Sequence, residues 1–371
     1  MTPGTRLLLT ALTRPETVAE RSLEELDLLV RVARMASLEA RLCHLLRDHG
    51  VLDTLPDGPR RHLEAAAMVS DRQQDMARWE VAQIHRALYP RGIPVVVLKG
   101  AAYVLAGLPC ARGRLFTDVD ILVPRGALHD TERALFANGW VNQTQDAYDQ
   151  SYYRRWMHEL PPLTHVMRKS TLDVHHTILP PTARLKPDAG RLLADAVPIS
   201  GVDDLYVLAP VDMVLHSATH LFHDGELEHG LRDLTDLDDL LRHFGQDPDF
   251  WPALVARARQ MDLIRPLYYG LRYTQAFLST PIPGTVVEEL SDAGPTTPLR
   301  PLMDILFHRG LAPHHWCCDD ALSGVARWLL YVRSHYLRMP LHLLIPHLVR
   351  KAIRKRLQED SKRTAPVLPR P

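Results

Sequence analysis

Two aspartates one residue apart, Asp118 and Asp120, stand in the run TDVDILV. In an extended chain alternate side chains share a face, so both carboxylates point one way while Val119, Ile121 and Val123 point the other. Carboxylates about 7 Å apart along one strand face repel each other and weaken a sheet unless a cation lies between them. Hard oxygen ligands of this kind suit Mg²⁺. The chemistry to expect of the pair is therefore that of a divalent metal.

The elements that must hold the pair extend outward from it. Val95–Leu98 is an apolar run of strand length. It leads into a Lys99-Gly100 corner, a short helical stretch closing at Gly107-Leu108-Pro109, and a loop carrying Arg112 and Arg114. After the Asp-x-Asp strand, residues 127–138 read as a helix with Gly139 as its cap. Residues 140–153 read as a loop with an edge strand. Residues 163–168 and 171–178 read as strands joined by a tight turn at Lys169-Ser170.

Upstream, residues 1–90 read as helical. Ser22 and Glu25 form a capping box that opens an apolar-periodic stretch through Leu46, closing at Gly50. Pro59 suits the first turn of a further helix reaching Leu88. From Pro181 the pattern is helical again, with helices from Pro210 and over 231–244, 253–261, 265–278, 299–309 and 321–337. A basic amphipathic segment spans 341–357, and residues 358–371 read as a disordered tail. The fold class is α/β (α+β): a small mixed-sheet core over 91–180, flanked by N- and C-terminal helical regions.

An apolar strand, a glycine, a helix and then Asp-x-Asp on the next strand resembles the nucleotidyltransferase superfamily of the polymerase-β type. The longer pattern LKGAA…GR…TDVDILV resembles a bacterial family described only as uncharacterised nucleotidyltransferases. The likeness continues through LDVHH and the helix VDMVLHSATHLF followed by LRDLTDLDDLL. It implies a third carboxylate on a later strand of the same sheet. The candidate is Asp173 in TLDVH, where Leu172 and Val174 alternate with Asp173 and His175.

The resemblance implies transfer of a nucleoside monophosphate from an NTP to an acceptor, with release of pyrophosphate. Asp118, Asp120 and Asp173 would be catalytic and would hold two Mg²⁺ ions. Lys99, Gly100, Ala101, Arg114 and Thr117 would contact the nucleotide. Gly100 would let the backbone approach phosphate oxygens, and the Arg114 fork matches phosphate geometry. The chain departs from the superfamily in carrying Gly100-Ala101 where Gly-Ser is usual, and in its long gap from Gly100 to Asp118; both features resemble the narrower family.

The acceptor is open among a small molecule, a peptide, a protein side chain and a tRNA end. His175, His216, His220 and Asp236 are candidates to line its pocket. His216 and His220 lie four apart on one helix face, with Asp224 and Asp236 following, so a His/Asp metal phosphohydrolase is a rival reading. A nucleotide- or partner-binding protein without turnover is another. The run His314-His315-Trp316-Cys317-Cys318-Asp319 has soft ligands without paired metal-site spacing and reads as an interhelix loop.

Composition narrows the rest. With 44 basic and 44 acidic residues the chain is formally neutral, which gives no global argument for nucleic acid. Four cysteines without framework spacing read as reduced thiols, and no stretch has the length of a membrane span, so the expected location is cytoplasmic. The basic segment 341–357 offers contact with an anionic surface as a minor possibility.

Overall fold

The computed structural model describes residues 1–143, 153–224 and 227–345. The tail at 358–371 and most of the basic segment at 341–357 lie outside the described residues. The chain begins as helices: Pro3–Thr13, Leu23–Met35, Glu39–Asp48 and the long Asp57–Leu88. Ser22 accepts from the Glu25 amide while Glu25 reaches back to the Ser22 amide, the reciprocal cap expected there. The stretch through Leu46 is not one helix. Ser37 takes a left-handed backbone (φ 55°), which ends one helix and lets the next fold back.

Seven strands form one mixed sheet: β1 (Val95–Leu98), β2 (Asp118–Leu122), β3 (Trp140–Asn142), β4 (Leu163–His165), β5 (Thr171–His175), β6 (Val197–Pro198) and β7 (Leu205–Val207). Their spatial order is β3-β4-β5-β2-β1-β7-β6. β1 has no polar residue and is buried throughout, as a strand covered on both faces must be. It pairs antiparallel with β2 and parallel with β7. β2 in turn runs parallel to β5. The helix Asp57–Leu88 packs against β1, β2 and the short helix Lys99–Leu105.

Three details differ from expectation. β6 and β7 arise from residues past 180, a stretch that reads as helical by periodicity alone; both are two or three residues long, too short to carry an alternation signal. β4 and β5 end earlier than expected. The connection between them is also wider than a two-residue turn, because the His165 imidazole accepts from the Met167 and Arg168 amides and shapes a broader loop. Beyond β7 the helices Pro210–Thr219, Gly230–Phe244, Phe250–Gln260, Ile264–Leu278, Leu299–Gly310 and Ser323–Arg338 follow, close to their expected places. The last of these reaches the connection that follows β5: Arg184 N–H donates to Leu337 O, and Thr182 Oγ1 to Arg338 O.

Candidate active site

The corner after β1 is tight. Lys99 adopts φ 47°, a left-handed conformation uncommon for a side chain of its size, and starts the helix Lys99–Leu105 directly from the strand. Its ammonium turns back over the sheet to Asp120 Oδ1 at 2.9 Å. The same carboxylate oxygen accepts from His175 Nε2 at 3.0 Å. Burial alone favours the neutral acid, but Lys99 and His175 outweigh it and hold Asp120 well below the usual carboxylate range.

The parallel register pairs Asp118 with Thr171 and Asp120 with Asp173. Leu172 and Val174 are buried in the core, while Asp173 and His175 face the other way with the two aspartates of β2. Asp173 differs sharply from Asp120. Burial, together with the charges of Asp120 and Glu159, raises it to about 7. Its Oδ1 is buried and makes no hydrogen bond. A buried carboxylate oxygen with no donor, set between other carboxylates, is the environment a divalent cation relieves, so the three acids fit the ions expected of them. Thr117 is exposed beside them and donates to Asp118 Oδ1 at 3.1 Å.

Arg114 lies across the same corner, but it is anchored. Its Nε donates to Asp236 Oδ2 at 2.6 Å, and the other Asp236 oxygen accepts from Arg41 at 2.7 Å. The loop that carries Arg114 is held by the long helix: Ser70 Oγ donates to Arg114 O, Gln74 to Ala111 O, and Phe116 N–H to Gln73. Gly100 has a steric reason to be glycine besides the one expected. A Cβ there would sit 2.1 Å from Arg114 Nη1 and 2.6 Å from the Phe116 ring. The missing side chain makes room for the guanidinium lying over the corner. Gly113 (φ 74°) allows another close approach, since a Cβ would meet the Arg41 backbone at 2.4 Å.

These groups line a cavity of about 860 Å³ between the sheet and the C-terminal helices. Lys99, Gly100, Arg114, Thr117, Asp118, Asp120, Asp173 and His175 reach it. Of the acceptor-pocket candidates, His175, His220 and Asp236 lie on its wall, whereas His216 is buried and Ala101 is packed in the core. Burial, with Lys99 and His220, lowers His216 well below the usual histidine value and keeps its ring neutral. His216, His220 and Asp236 do not draw together as ligands: among the described residues, the His/Cys/Asp/Glu set whose ligand atoms all lie within 4.8 Å is His158, Glu159 and His175. The side chain of Asp224 lies outside the described residues.

His158 and Glu159 carry no motif in the sequence. They reach the site because Leu160 N–H donates to Val174 O and His176 N–H to His158 O, extending the ladder past the end of β5. Only a His-Glu pair just before Pro161-Pro162 marks the place in the chain, and nothing in that local sequence pairs it with β5.

A family model described as "uncharacterised nucleotidyltransferase" matches residues 22–279, which takes in the helical lead-in from Leu23–Met35 onward, the whole sheet and the helices through Ile264–Leu278. The chain belongs to that family. No curated protein and no solved structure matches it.

Proposed function

We propose, with membership of the uncharacterised nucleotidyltransferase family as the premise, that the cavity transfers a nucleoside monophosphate from an NTP to an acceptor oxygen or nitrogen. The observation that carries this reading is the pairing of Asp120 with Asp173 on adjacent parallel strands, with Asp118 one pleat along on the same wall. The acceptor atom attacks the α-phosphorus, the bond from that phosphorus to the bridging oxygen breaks, and pyrophosphate leaves. Asp118, Asp120 and Asp173 would hold Mg²⁺, which supplies charge neutralisation on the phosphates and orients the reacting oxygens.

The chain's own groups have separable tasks. Asp173, which burial and the neighbouring carboxylates raise to about 7 with no cation between them, would give up its proton on holding Mg²⁺. The resulting carboxylate can receive the proton that the acceptor loses. Lys99 faces the cavity from its ion pair with Asp120 and is the cation nearest the carboxylate pair for incoming phosphate. Arg114 contributes positive charge from a fixed position, because Asp236 prevents it from swinging. The acceptor lies toward the C-terminal helices, where Arg232, His220 and His335 also line the cavity. This places polar and basic groups around an acceptor that itself carries polar or anionic character.

The test incubates the protein with each labelled NTP, Mg²⁺ and a cell extract, and compares it with the Asp118→Asn/Asp120→Asn double variant. Label carried onto one class of acceptor by the wild type alone supports the assignment. Equal labelling by both proteins removes it.

A further inference from the structure

The geometry points to a transition-metal site formed by His158, Glu159 and His175, beside the three aspartates and distinct from them. Glu159 Oε2 lies 3.5 Å from His175 Nδ1 and 3.9 Å from His158 Nε2. The ligand atoms of all three residues fall within 4.8 Å of one another. For a tetrahedral ion with bonds of 2.0–2.2 Å, the edges between ligand atoms measure about 3.3–3.6 Å. Of the three edges, Glu159–His175 already has that length, Glu159–His158 needs to close by a few tenths of an ångström, and His158–His175 lies within 4.8 Å.

A second observation selects a metal over a hydrogen-bonded cluster. His175 is 3% exposed and its Nε2 meets Asp120 Oδ1 at 3.0 Å. A carboxylate oxygen only accepts, so Nε2 donates there, and Nδ1 is the nitrogen left to face Glu159. That buried Nδ1 makes no hydrogen bond, and the atom it faces is a carboxylate oxygen, Glu159 Oε2. At 3.5 Å the pair is also too long for a charge-assisted hydrogen bond. The gap has the ligand-to-ligand spacing of a metal site, and a cation there would satisfy both atoms. A metal-bound histidine whose second nitrogen donates to a carboxylate is the usual outer arrangement of such sites, and here Asp120 supplies the carboxylate.

Two imidazoles and one carboxylate favour a zinc-type dication over Mg²⁺, which prefers oxygen alone. The three residues all line the cavity, so a fourth coordination position opens toward it. Through the His175–Asp120 hydrogen bond this ion would fix the orientation of Asp120, and through His158 and Glu159 it would clamp residues 158–160 to the end of β5.

The site stands or falls separately from nucleotidyl transfer, because its test reads metal and not turnover. The full-length protein is stripped with a chelator, then titrated with Zn²⁺ and with Co²⁺ in the presence of excess Mg²⁺. The expected result is a single equivalent of tightly held Zn²⁺ and the intense visible absorption of tetrahedral Co²⁺. His158→Ala and Glu159→Ala should each abolish tight binding, Asp120→Asn should weaken it about 10–100-fold, and Asp118→Asn should leave it unchanged. Circular dichroism checks folding, and either ligand variant suffices if the other fails to fold. No zinc uptake by the wild type in Mg²⁺ overturns the proposal. So does undiminished affinity in a folded ligand variant, which would move the ion elsewhere, for example to Cys317 and Cys318.

Discussion

Asp120 and Asp173 stand opposite each other on parallel strands, yet burial and neighbours drive their acidities apart: Asp120 is held ionised by Lys99 and His175, while Asp173 is raised to about 7. Two like groups with divided protonation behaviour are what an acid–base site requires. Asp173→Asn should lower turnover by about 10²–10⁴-fold, the range for a lost proton acceptor. The same change removes a charge that its surroundings disfavour, so the melting temperature should hold or rise. A parallel fall in activity and stability would assign Asp173 a structural role.

Gly100→Ala should destabilise the protein by about 1–3 kcal/mol, the usual cost of forcing a methyl into filled space. The new Cβ would fall 2.1 Å from Arg114 Nη1, and Arg114 cannot move away without leaving Asp236. Urea denaturation measures the loss. If stability is unchanged while NTP binding weakens, Gly100 acts through phosphate approach instead.

Asp236→Ala should be among the most damaging single changes, at roughly 3–5 kcal/mol, because it leaves buried charge uncompensated. Arg41 and Arg114 both end on this carboxylate, which is 1% exposed. Asp239 keeps Arg41 closely paired, whereas Arg114 keeps only the more distant Asp233, at 3.9 Å, so the loss should concentrate on Arg114 and its loop. Hydrogen exchange over residues 111–117 would locate it there.

Acid should weaken the fold partly through His216. Burial, then Lys99 and His220, hold its value well below the ordinary one, so the ring stays neutral when folded but takes a proton in the unfolded chain below about pH 6.5. The unfolded state then binds more protons, and stability declines as the pH falls. His176 is lowered by burial in the same sense. His216→Gln should flatten the decline between about pH 6.5 and pH 5 by up to about 1.4 kcal/mol per pH unit. An unaltered slope in denaturation series at several pH values would place the acid sensitivity elsewhere.

What could be read in the sequence was what local rules control. β1, the alternation in TDVDILV and TLDVH, the Ser22–Glu25 cap and the long helices all follow from periodicity within a dozen residues. Two kinds of feature escaped. Partners chosen at long range left no local mark: Arg114 with Asp236 across the molecule, and Glu159 brought to His175 by a bridge past the strand's end. Elements too short for a period, β6 and β7, were absorbed into a helical reading. Gly100 shows a third case, in which the residue is required but its reason is visible only once Arg114 is in place.

The parallel pairing of β1 with β7 also bears on synthesis. Val95, Val96 and Val97 find their partners in Leu205, Tyr206 and Val207. While the protein is being made, the segment bearing the aspartates emerges and can form its hairpin-like pair long before that partner exists. The central strand thus waits with one side bare, an apolar edge open to wrong company, until the ribosome has released residue 207. A shortened gene ending near residue 180 would make that transient condition permanent, and its product should accumulate as insoluble material.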